Sequence, residues 1–216
     1  MNPTLLNARG NPLAGLRRLA LTPSNQERCE LCCVPLARVH RHLLEMPARR
    51  ILCTCDACGL RFQNVVAGRF KLIPRDTRRL AGFSITDGQW ESLALPINLA
   101  FFFISTSAGK TVAMYPSPAG ATESLLPLEN WRLIAAANRW LNRLEPDVEA
   151  LLVNRTEAAR DYFIAPIDRC YELVGLIRVH WHGLAGGEKV WQEIGSYFAK
   201  LRLEAFVPQA VEVDHA

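Results

Sequence analysis

Cys29-Glu-Leu-Cys32 and Cys55-Asp-Ala-Cys58 set four thiols as two C-x-x-C pairs with 22 residues between them. That spacing belongs to a two-knuckle metal site. Two residues between thiolates let a tight turn bring both sulfurs onto one tetrahedral ion. A glycine after the second pair, Gly59, is expected to let backbone N–H groups point at sulfur. Six of the seven cysteines fall between Cys29 and Cys58, and Cys170 stands alone far downstream. Zinc is the expected ion, one per chain, on Cys29, Cys32, Cys55 and Cys58. A single iron of the rubredoxin type satisfies the same four-sulfur geometry and stays open as the alternative. A segment of about 45 residues has little core of its own, so the ion would act as a staple whose binding energy is folding energy.

Cys33 and Cys53 exceed a four-ligand shell. Cys33 stands where a first knuckle often has glycine, and reads as a nearby free thiol. Cys53 lies two residues before Cys55 on a predicted strand, so the two share a side and a ligand exchange is open; otherwise Cys53 is a small apolar residue. His40 and His42 share a face if their segment is extended, but four cysteines already complete the shell and leave them outside the expected ligand set.

The charge divides along the chain. Residues 1–80 hold 14 Lys and Arg against 5 Asp and Glu, a net +9, whereas residues 81–216 hold 11 against 16, a net −5. Basic charge beside a knuckle attracts phosphate without sequence preference, so a zinc-ribbon nucleic-acid binder is one reading. No recognition helix follows the knuckles, and a basic face pairing with the acidic body explains the same residues. Nucleic acid is therefore not the expected partner.

The chain reads as an α+β protein: a zinc-ribbon or rubredoxin-like knuckle domain, then a small antiparallel sheet covered by helices on one face. Its expected divisions are a flexible basic arm (1–26), a four-cysteine metal-binding domain (27–74), an α+β domain (80–205) and a tail (206–216). Strands are predicted at Ile51–Thr54 and Val65–Leu72, with Arg75–Arg79 a solvated connector. Pro96–Ile104 and Thr111–Tyr115 form a predicted hairpin with Gly109 in its turn. Tyr115–Thr122, with two prolines and a glycine, reads as an irregular loop. Glu129–Leu144 has one apolar stripe and reads as a single helix; two short strands, Val148–Val153 and Tyr162–Ala165, precede helices from Pro166 and after Gly187.

Apolar residues make up half the chain, enough to bury a core. The longest apolar run, Leu93–Ile104, is shorter than the roughly 20 residues of a spanning helix, so no membrane insertion is expected. The broken N-terminal segment lacks a secretory pattern, which predicts a cytoplasmic location. Gly109-Lys110-Thr111 is not the end of a phosphate-binding loop, because Ile104 occupies the position of its first glycine. No nucleophile, base and orienting group assemble from spacing, and the reading leans away from an enzyme.

CELC at 29–32, HRHLL at 40–44, LCTCDACGLRF at 52–62, AFFF at 100–103, YPSPAGATESLL at 115–126, EPDVEALLVNR at 145–155 and PIDRCYELVGLIRVHWHGLAGG at 166–187 carry a resemblance that spans about residues 28–204. Together they resemble a bacterial domain-of-unknown-function family encoded beside oxygen-tolerant nickel-iron uptake hydrogenases. The resemblance implies an accessory role, in maturation or as a scaffold, with a hydrogenase subunit or maturation factor as partner. It implies no mechanism. If the ion were iron, the same head would transfer single electrons to serve the hydrogenase.

Overall fold

The computed structural model describes residues 26–46, 48–63, 68–124, 129–183 and 185–208. The expected arm, apart from Gln26, and the end of the expected tail lie outside them, as do residues 65–67 of the predicted second strand. Among the described residues two antiparallel sheets carry the architecture.

The smaller sheet has the order β2-β1-β3, with β1 (Arg41–Glu45) between β2 (Arg50–Thr54) and β3 (Phe70–Leu72). Alternation along β1 sends Leu43 to one side, against Leu52 and Phe70, and Leu44 to the other. Leu44 and Ile73 belong to the same apolar core as Phe101, Phe103 and Phe163 of the larger sheet. The guanidinium of Arg49 also lies 4.3 Å over the Phe103 ring. The small sheet is thus docked on the body. After β2 comes a short helix, α1 (Asp56–Phe62).

The larger sheet has the order β4-β9-β8-β5-β6-β7. Its strands are β4 (Arg78–Arg79), β5 (Leu99–Ser105), β6 (Lys110–Ser117), β7 (Gly120–Glu123), β8 (Glu149–Asn154) and β9 (Asp161–Pro166). Every residue of β8 and β9 is buried. Two long helices, α4 (Ile167–His180) and α5 (Gly187–Glu204), cover the face that carries Phe101, Phe103, Leu152 and Phe163. On the opposite face, Ala100, Phe102, Leu151 and Ile164 pack against Phe83, Trp90, Trp131 and Ile134. Trp90 comes from α2 (Asp87–Glu91), and Trp131 and Ile134 from α3 (Glu129–Ala137). The expected antiparallel sheet with helices is present, but with both faces covered. The cause is visible in Leu99–Ile104, a continuous apolar run instead of an alternating one.

Three local expectations are corrected. Tyr115–Thr122 is a hairpin: β6 continues through Ser117, β7 begins at Gly120, and Pro116 faces Ala121. The β5 pairing ends at Met114, so Pro116, which has no N–H, lies beyond it and interrupts no bond to β5. Gly120 takes φ +123°, and Ser117 Oγ donates to its carbonyl at 3.0 Å. The single helix over 129–144 breaks at Asn138, whose Nδ2 bonds the Ile134 carbonyl at 2.8 Å, the acceptor that helix continuation would use. A 3-10 turn, Arg139–Arg143, follows. The basic connector is not solvated throughout, because Arg78 and Arg79 pair with Ile164 and Phe163 as an edge strand. Arg78 also forms an ion pair with the buried Glu149. The outer side of β4 meets Phe206: the Arg79 N–H donates to the Phe206 carbonyl at 2.9 Å.

Candidate metal centre

The first cysteine pair sits on a turn closed by backbone bonds, Cys29 N–H to Val34 O at 2.9 Å and Cys33 N–H to Cys29 O at 2.7 Å. Cys33 adopts φ +62° in that turn, the left-handed conformation that glycine serves more cheaply. The turn is tied to β2 through Glu30, whose N–H donates to Cys53 O at 2.9 Å and whose carboxylate accepts from Cys53 N–H at 2.8 Å. The second pair opens a helix. Cys55 is the N-cap of α1, and its sulfur accepts the Cys58 N–H at 3.4 Å.

These two supports bring Cys29, Cys32, Cys55 and Cys58 together, with all four sulfurs within 4.8 Å of one another. Cys32 Sγ and Cys55 Sγ are 3.7 Å apart. A tetrahedral ion at a zinc–sulfur distance of about 2.3 Å separates its sulfurs by about 3.8 Å, whereas a disulfide needs about 2.05 Å. All four are free thiols. The cluster therefore fits a tetrahedral four-sulfur ion, and these residues can hold one. Cys29 and Cys58 are buried while Cys32 is exposed, so the cage opens to the surface at one corner. Burial opposes ionisation of Cys29, yet backbone N–H groups of Cys55, Leu31 and Cys32 outweigh it and bring its pKa down to about 6. Burial pushes the Cys58 thiol up, and its three neighbouring cysteines add to that.

Gly59 serves a different end from the one expected. Its N–H donates to the Cys55 carbonyl within α1, and a Cβ there would stand 3.1 Å from Arg41 Cδ. Glycine leaves room for the close approach of Arg41 and aims its N–H at a carbonyl, not at sulfur.

Cys33 is exposed and stands apart from the four-sulfur group. Cys170 is fully buried on α4, and burial raises its thiol well above the ordinary value. His40, His42 and Cys53 form a group of their own. The His42 Nδ1 lies 2.6 Å from Asp168 Oδ2 at the start of α4, a partner 126 positions away that no local pattern announces. The basic residues of the head meet acidic ones: Arg41 and Arg75 reach Asp56 at 2.7 and 3.6 Å, and Lys71 reaches Asp147 of the body at 2.7 Å. No helix among the described residues is long and apolar enough to cross a membrane.

No curated protein and no solved structure matches the chain. Residues 28–205 match a family of unknown function, DUF5947, and the chain belongs to that family.

Proposed function

We propose that the chain is a metal-stapled accessory protein of nickel-iron hydrogenase, a maturation factor or scaffold that works by docking on a hydrogenase subunit or one of its maturation factors. The single observation that carries the metal part is the convergence of four sulfurs, with a 3.7 Å edge matching a tetrahedral ion. Zinc on a zinc-ribbon-like head, residues 27–74, gives a centre without redox chemistry, suited to fixing shape. The head gains from a staple because its apolar clusters are small, one around Cys29, Leu36 and Cys58 and one around Leu43, Leu52 and Phe70. Docking is supported by Val34, Val39 and Leu60, which the head leaves exposed. The hydrogenase setting rests on the motif resemblance, and the body at 80–205 supplies the larger scaffold.

A rubredoxin-type iron centre that transfers electrons is the second reading, favoured by the exposure of Cys32 at the cage corner, where an electron could leave. The test is metal analysis and affinity purification of the tagged full chain from a host with its own hydrogenase. Colourless protein with about one zinc in the four-cysteine cage, recovered with a hydrogenase subunit or maturation factor, supports the proposal. Red, iron-loaded protein overturns zinc in favour of electron transfer, and purification without any such partner overturns the accessory role.

A further inference from the structure

We propose that His40, His42 and Cys53 form a second metal site, separate from the four-cysteine cage, which takes a zinc-class divalent transition ion and keeps one coordination position open to a cavity. A ring nitrogen from each histidine and the Cys53 sulfur lie within 4.8 Å of one another. The fold makes this meeting: His42 and Cys53 are directly opposed in the β1–β2 register, and the rings of His40 and His42 meet edge to face at 4.8 Å.

Both imidazoles are already oriented as ligands. His40 Nδ1 lies 3.0 Å from the Ala37 carbonyl, which can only accept, so Nδ1 carries the proton and Nε2 has a free lone pair. That Nε2 is buried with no hydrogen-bond partner, on a side chain only 9% exposed. A buried acceptor without a donor is costly, and a cation at that lone pair removes the cost. His42 Nδ1 is held by the Asp168 carboxylate at 2.6 Å, the carboxylate–histidine arrangement that fixes the tautomer of a metal-binding ring and makes Nε2 its ligand atom. Glu27 Oε2, 3.6 Å from His40 Nδ1, adds negative charge nearby.

Two imidazoles and one thiolate make a three-ligand set of the kind that leaves zinc a fourth, exchangeable position. The histidines line a cavity of about 560 Å3 whereas Cys53 does not, so the open position faces that cavity. The cavity lining mixes charge, with Arg38, Arg75, Arg169 and Lys200 beside Asp168, Glu172 and Glu204, and it leaves room for water or a small polar ligand at the fourth position. The site is thus built for exchange, in contrast to a closed four-sulfur staple.

The full chain is to be loaded with zinc or with cobalt(II), passed through a desalting column and assayed for bound metal. The expected wild-type content is about two ions per chain, falling to about one in His42→Gln, His40→Gln and Cys53→Ser. Those variants should keep the intense sulfur-to-cobalt absorption of the four-thiolate cage, which also reports that they fold. Asp168→Asn should weaken the second ion about 10- to 100-fold. In unmutated protein, the imidazole NMR signals of His40 and His42 should move on addition of the second zinc equivalent. A His42→Gln chain that keeps the wild-type metal content, or imidazole signals that stay still, overturns the proposal. The two sites fail separately: content that responds to His42→Gln but not to Cys32→Ser supports this site and sinks the four-cysteine one, and the reverse pattern sinks this one.

Discussion

Lys71 Nζ lies 2.7 Å from Asp147 Oδ2 and 3.1 Å from the Pro146 carbonyl, joining the third strand of the small sheet to the loop before β8. The same carboxylate accepts the N–H and hydroxyl of Thr106, at 2.9 and 2.7 Å. Burial opposes its ionisation, but Lys71 and Thr106 outweigh burial and hold the Asp147 carboxyl below its ordinary value. A carboxyl lowered in the folded state contributes stability that is present above the unfolded value of about 3.9 and lost as pH falls through the folded value. Lys71→Met leaves the buried carboxylate without its cation and is expected to cost about 2 kcal/mol at neutral pH. Urea midpoints measured from neutral to acid pH check both: the variant should start lower and lose less on acidification.

Zinc uptake should release protons. Four thiolates are needed, and Cys29, brought down to about 6, has already lost its proton at neutral pH. Fewer than four protons per ion are therefore expected. A pH indicator in weak buffer measures the number, and four would contradict the ionised Cys29. In the metal-free chain the Cys29 contribution to stability is present above the unfolded thiol value of about 8.5 and disappears as pH falls through about 6.

Cys33→Gly should leave metal content unchanged and stabilise the protein. An L-residue at φ +62° pays about 1–2 kcal/mol, and the extra unfolded-chain freedom of glycine takes back about 0.5–1 kcal/mol. The expected gain is about 0.5 kcal/mol. Thermal melts of the metal-loaded proteins decide it; a lower melting temperature would show the turn is not strained.

Trp131 stacks on Phe102 with ring centres 4.3 Å apart and planes 9° from parallel. Both are buried in the core opposite the long helices. Trp131→Ala should cost about 3–5 kcal/mol through the lost contact and the cavity left behind. Denaturant unfolding reads the loss. Because Trp131 belongs to the other core from Leu44 and Ile73, four-thiolate cobalt absorption per folded chain should not change.

The cysteine pairs were legible because metal-ligand spacing is a local signal, and the structure brings their sulfurs together. The role of Gly59 was not, since the neighbour it makes room for, Arg41, comes from β1. Pro116 argued against a strand until the length of β5 was known, and that length is a tertiary fact. The run of phenylalanines at 101–103 alternates between two buried faces, Phe101 and Phe103 on one and Phe102 on the other, which a sheet covered on one face alone could not bury. Asp168 could be placed at a helix start from sequence, whereas its meeting with His42 depends on how the small sheet docks.

The chain order gives the two candidate sites different histories. Cys29 to Cys58 leave the ribosome within thirty residues of each other, so the sulfur cage can close on an ion while most of the body is still unmade. The imidazole group waits for Asp168, made more than a hundred residues later. With both proposed sites in use, loading of the first ion would accompany birth of the protein, and loading of the second would report its completion.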